Sequence, residues 1–188
     1  MPPCSVAFKE WSIICDVLAR GDQTLILRKG GIEEGRDGFR VAHNRFWLYP
    51  TRFHASRDQL APALHPLLDD QPPVPAAPGE ISLALLAEVT RVVQLDSLDQ
   101  ALRLSGLHGW SDDTVTARFH YRRPGLFLLI ARIHRLAEPH RVIETPDYAG
   151  CKSWVQLDHG YDTTGLTPVL TDAQFQLATT AIESRLLP

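Results

Sequence analysis

Between Trp11 and Arg28 the chain changes its hydrophobic period. Trp11, Ile14, Cys15 and Leu18 recur at i, i+3, i+4 and i+7, which predicts one apolar helix face over about residues 6 to 20. Gly21 stands where helices commonly end, and "QTLILR" follows with the continuous apolar centre of a buried strand. A helix delivered directly onto a buried strand demands a layered fold that contains both. "RFWLYP" predicts a second strand, closed by Pro50.

The rest of the chain repeats this mixture. "SRDQ" at Ser56, "SLDQ" at Ser97 and "TDAQ" at Thr171 each match a capping box, in which the hydroxyl takes an orphan N–H and the Gln reaches back. Pro62 and Pro66 interrupt the first of these helices. A further helix starts at Ser111. "LLAEVTRV" from Leu85 and "LIARIHRL" from Leu129 alternate as half-buried strands do, and they flank the Ser97 and Ser111 helices. The predicted order is helix, strand, strand, helix, strand, two helices, strand, strand, helix. This is an α+β fold with a bent, partly barrel-like mixed sheet flanked by helices. "DDQPPVPAAPG" is the one linker-like stretch, and its prolines favour a semi-rigid connection. The part before it is small for an independent core. The expectation is therefore a single domain over residues 1–188 with a Pro-rich internal connection at 69–79.

Charge narrows the partners. The net charge is -3, yet residues 28–57 carry +4 and residues 118–141 carry +5. Such asymmetry fits an anionic partner; the alternative is a scatter of solvated surface arginines. The three cysteines are far apart and odd in number, with no metal or redox spacing, which predicts a reducing compartment. The start "MPPCSVAFKEW" has no export signal, and no apolar run approaches a membrane span, so the expected location is cytoplasmic.

Three strand ends place cations and aromatics beside Gly or Pro turns. "RKGG" offers Arg28 and Lys29 before Gly30 and Gly31, where the backbone can approach a ligand or turn tightly. In "FWLYPTRFH", Phe46 and Leu48 share one face and Trp47 and Tyr49 the other, followed by Thr51 and His54. If the second face is open, aromatics beside arginines compose a base-stacking surface; an ordinary core strand has the same composition. "PDYAGCKSWVQL" sets Lys152 and Trp154 on one face of the next strand. The eight histidines lack helical metal-ligand pairs, so no metal or cofactor is expected. There is no nucleophile elbow, P-loop or dinucleotide fingerprint. "ETPDYAGCK" has Gly150 where a metal nuclease needs a second carboxylate.

"FKEW", "ILRKGGI", "FWLYPTRFH" and "KSWVQL", in this order, resemble a family of bacterial proteins of unknown function across nearly the whole chain. The resemblance carries no established activity. Reported fusions of related sequences to restriction-endonuclease-like domains imply a link to restriction or other DNA processing. "LARGDQTLILRK" has a looser resemblance to the PUA-like superfamily, which includes the ASCH and EVE domains; Gln23 stands where ASCH sequences commonly have Lys. That resemblance implies a small bent barrel and binding of RNA or modified bases.

The resulting expectation is a non-catalytic module for nucleic acid or nucleotide. Arg28 and Lys29 contact phosphate, Trp47, Tyr49 and Trp154 stack, and Lys152 adds charge. The segments around Arg28, Tyr49 and Lys152 are expected to converge in one concave site. A second reading is an enzyme acting on a nucleotide or nucleic acid, with His54 as acid–base and Glu10 or Asp147 as its partner. A third is a protein–protein module with a basic face.

Overall fold

The computed structural model describes residues 2–29, 32–35, 38–41, 43–51, 56–70, 79–148 and 152–187. The strands are β1 (Cys4–Trp11), β2 (Leu25–Arg28), β3 (Ile32–Gly35), β4 (Gly38–Val41), β5 (Arg45–Thr51), β6 (Glu80–Leu95), β7 (Leu126–Ile143), β8 (Trp154–Tyr161) and β9 (Thr167–Pro168). The helices are α1 (Ser12–Arg20), α2 (His65–Asp69), α3 (Leu98–Leu102), α4 (Asp112–His120) and α5 (Asp172–Leu186). The fold is α+β, as the sequence predicts. Seven strands form one mixed sheet in the order β2-β7-β6-β5-β1-β8, with β9 paired to β7, while β3 and β4 form a separate hairpin.

The two strands that echo each other in sequence are antiparallel partners. Ala87 pairs with Ile133, Glu88 with Arg132 and Val89 with Ala131. Register shifts between Leu83 and Leu85 and between Val89 and Arg91 bend this long ribbon, as bulges do. The bend brings the two ends of the sheet toward each other. Arg28 ends β2, the first strand in the order, yet its guanidinium carbon lies 4.0 Å from the ring centre of Phe8 on β1, the fifth. A flat sheet would hold those strands four spacings of nearly 5 Å apart.

Curling gives both faces of the sheet a core. Phe8, Phe46 and Leu48 pack with Ile14, Leu18, Leu25 and Phe119 in the larger one. Trp47 and Tyr49 pack with Leu83, Leu86, Leu136, Tyr148 and Val155 in the smaller one. The expectation of one open face on β5 is therefore corrected.

Two local readings also change. The first helix starts at Ser12, because Cys4–Trp11 pairs in parallel with β5 and antiparallel with β8. Long-range pairing overrides the local helical spacing there. After Ser56 the chain makes short 3-10 turns at Arg57–Gln59 and Pro62–Leu64 before α2, and Ser56 provides no side-chain cap. The Ser97 and Thr171 capping boxes form in full, with Gln100 and Gln174 as the reciprocal partners. Gly21 ends α1 at φ 79°, and a Cβ there would meet Leu170 Cδ2 at 2.5 Å, so both backbone and space require glycine. Among the described residues no helix is long and apolar enough to cross a membrane. Residues 71–78 of the Pro-rich connection lie outside the described residues.

Candidate functional site

The seam where the sheet ends meet gathers charge and aromatic surface. Phe8 and Glu10 are two apart on β1 and share a face. Glu10 is only 7% exposed. Its Oε1 accepts the Trp11 N–H at 2.8 Å, and its backbone carbonyl accepts the Thr51 hydroxyl at 3.2 Å. Burial holds the carboxyl above the ordinary carboxylate range, opposed by Arg118, the Trp11 N–H and Arg28. Cys15 of α1 is the further titratable neighbour: burial raises its thiol, and Glu10 adds to the rise.

Two arginines flank this carboxylate. Arg28 lies over Phe8 and 5.9 Å from the ring centre of Trp154. Arg118 lies over Trp110 at 3.6 Å, and Trp110 meets Trp11 edge-on at 4.9 Å. Both are half-buried. Burial lowers Arg28 to about 10 even though Glu10 favours its charged form, and Arg118 adds to the lowering. Burial lowers Arg118 too, again against Glu10. A guanidinium that lies face-down on a ring keeps its N–H groups in the plane, at its edge. Among the described residues neither guanidinium has a hydrogen-bond acceptor.

Trp154 completes the wall. It packs against Phe8 at 5.0 Å and edge-on to Phe46 at 4.9 Å and His43 at 5.2 Å. Its buried indole N–H has no hydrogen-bond partner among the described residues. Lys152, two residues earlier, is exposed.

Arg118 is positioned by a chain of buried hydrogen bonds. Gln23 donates to the Leu25 carbonyl at 2.7 Å and accepts the Gly109 N–H at 2.9 Å, tying the turn before α4 to β2. The Ser111 hydroxyl caps α4 by accepting the Thr114 N–H at 3.3 Å and donates to the Asp58 carbonyl at 3.0 Å. Lys29 closes the other end of the helix. Its ammonium donates to the carbonyls of Phe119 at 2.6 Å and Gly125 at 2.8 Å, and to that of Arg123. All three protons of Lys29 are committed to backbone. It is a clamp on the C-terminus of α4 and is corrected from a phosphate contact to a positioning residue.

The other aromatic expectations are corrected by burial. Trp47 is fully buried, with its indole N–H donating to the Cys4 carbonyl at 3.0 Å and its ring edge-on to His140. Tyr49 is 2% exposed, and its hydroxyl donates to Glu144 at 2.5 Å. Both belong to the smaller core, on the face opposite Phe8 and Phe46, where neither can stack on a ligand. The expected convergence therefore holds for Arg28 and the Lys152–Trp154 segment and fails for Tyr49. Asp147 is exposed on the Pro146–Tyr148 turn, whereas the charged neighbours of Glu10 are Arg118 and Arg28. Gly30, Gly31 and His54 lie outside the described residues. Among the described residues no group of His, Cys, Asp and Glu is arranged to hold a metal.

The basic segments do not form one continuous face. Arg57 pairs with Asp69 at 2.7 Å, Arg141 with Glu80 at 3.3 Å and Arg132 with Asp172. Arg135 donates to the Ala19 carbonyl, and Arg45 to the Pro2 carbonyl and to Thr163. Arg118 and Trp110 were not singled out from the sequence as site residues. Their signal was there: Arg118 lies three and four residues after Val115 and Thr114, on the buried side of α4.

No curated protein matches this chain. Among solved structures it is similar to ASCH from Zymomonas mobilis, with 16% identity over 93% of both chains and a TM-score of 0.43. Two point variants of that ASCH protein match at 14% and 13% identity, each with a TM-score of 0.42, over 95% and 93% of this chain and 98% and 96% of theirs. The model of the domain of unknown function DUF1802 matches residues 7–181, and the chain belongs to that family.

Proposed function

We propose that this protein is a binding module for a nucleotide or for single-stranded nucleic acid, and that the ligand occupies the seam between Arg28, Arg118 and Trp154. The observation that supports this reading is the pair of half-buried arginines, each laid on an aromatic face, on either side of one buried carboxylate. The guanidinium edges suit phosphate oxygens, and rings beside them suit a base. Arg28 and Trp154 keep the roles expected from the sequence, Arg118 replaces Lys29 as the second cation, and Lys152 and Thr51 border the site. A link to restriction or other DNA and RNA processing follows from the family resemblance and belongs to the same proposal.

The test is a salt titration of binding, read by fluorescence anisotropy with short single-stranded DNA and RNA. Affinity falls as salt rises, because each neutralised phosphate releases counterion. Arg28→Ala lowers affinity and flattens the log–log salt slope by about one, the mark of a single phosphate contact. Trp154→Ala costs roughly 1–3 kcal/mol in binding with the slope unchanged, as a lost stacking partner does. Failure to bind any of these ligands more tightly than about 100 μM at physiological salt contradicts the proposal and leaves the protein–protein reading in front.

A further inference from the structure

Resting on that reading of the seam, we infer that its ligand is a terminal phosphomonoester, carried by a mononucleotide or by the end of a single strand, and not an internal phosphodiester. Three observations point there. The first is charge. Two guanidinium groups, Arg28 from β2 and Arg118 from α4, face one carboxylate, Glu10 from β1, so the site carries an excess of cation. A diester offers a single negative charge, whereas a phosphomonoester carries about -1.5 to -2 near neutral pH and presents three acceptor oxygens.

The second is access. Both guanidinium groups are half-buried against rings, with their N–H edges and not their faces free to donate. An internal phosphate is flanked by nucleotides on both sides and must bring both past the wall of Phe8, Trp154 and Trp110. A terminal phosphate enters with one neighbour, whose base lies against Trp154. The third is the cost of the site itself. The arginines are desolvated strongly enough to weaken their own protonation, and a buried dianion offsets that cost more fully than a single charge does.

Glu10 then competes with the ligand for the two arginines. Its titratable and charged neighbours are Arg28, Arg118 and Cys15. Removing its charge without changing its shape frees both cations for the phosphate.

The experiment compares a fluorescent hexanucleotide bearing a 5′-phosphate, a 3′-phosphate or neither, with adenosine 5′-monophosphate as competitor. The expected result is at least a tenfold preference for one phosphorylated end, lost in Arg118→Ala. Glu10→Gln is expected to bind the phosphorylated strand severalfold more tightly at pH 7.5. Competition by the monophosphate identifies a mononucleotide site; a phosphorylated strand that the monophosphate cannot displace identifies a strand end. If all three strands bind within about twofold of one another and with a salt slope that Arg28→Ala flattens, the terminal-phosphate inference is overturned and the binding reading stands. If none binds, both fail. Weaker binding by Glu10→Gln, with the fold retained by circular dichroism, also overturns the competition between Glu10 and the ligand.

Discussion

Trp47→Ala is expected to lower the stability of this protein by roughly 3–5 kcal/mol, the range for deleting a fully buried large aromatic side chain. The indole is completely enclosed in the smaller core, and it also satisfies the Cys4 carbonyl. The substitution removes the packing and leaves that buried acceptor without its donor. For a chain of this length the loss corresponds to a fall in melting temperature of roughly 10 °C or more. Urea or thermal unfolding measures it directly. Trp47→Phe, which keeps most of the ring volume, is expected to lose less stability and to bind nucleic acid within about threefold of the parent. Near-parental stability in the alanine variant would show that the indole is not a core residue.

The second large effect is on binding. Replacing both Arg28 and Arg118 by Met keeps apolar length over Phe8 and Trp110 while removing both cations that flank Glu10. Hydrogen bonds to charged groups contribute about 1.5–3 kcal/mol each, so losing one from each arginine costs roughly a hundredfold or more in affinity. The melting temperature is expected to move far less than in Trp47→Ala, because neither guanidinium has an acceptor among the described residues to lose. The pair of variants thereby separates the two roles that sequence reading merged. Trp47 maintains the fold, and the arginines serve the ligand. An anisotropy titration that finds the double variant within threefold of the parent contradicts the assignment of the seam.

The sequence disclosed the architecture further than it disclosed the site, for physical reasons. Gly21, the apolar run of β2 and the capping boxes at Ser97 and Thr171 are local signals, and local hydrogen bonding decides them. β1 was missed because its pairing with β5 and β8 is long-range, whereas "FKEW" carries helical spacing on its own. The same limit governs the aromatics. Alternation correctly divided Phe46 and Leu48 from Trp47 and Tyr49, but it cannot tell whether the second face is open. That depends on how sharply β6 and β7 bend, and the bulges that bend them have no marker in the alternating pattern. Lys29 misled for a related reason: its partners are carbonyls of residues 119, 123 and 125, and a backbone acceptor leaves no trace in a sequence. Arg28 was legible because a cation at the end of a buried strand needs a partner, and the structure provides the rings of Phe8 and Trp154.

The most direct measurement uses the four tryptophans as reporters. Their indole N–H resonances can be followed by two-dimensional nitrogen–proton NMR and assigned by single Trp→Phe substitutions. Trp154 and Trp110 line the seam beside Arg28 and Arg118, Trp11 touches Trp110, and Trp47 is sealed in the opposite core. On titration with a short single-stranded oligonucleotide, the account predicts that the Trp154 resonance shifts most, that Trp110 and Trp11 follow, and that Trp47 stays in place. A saturating shift of Trp47 with Trp154 unmoved, or binding that leaves all four resonances unchanged, would contradict the claim that the ligand sits where the two ends of the sheet meet.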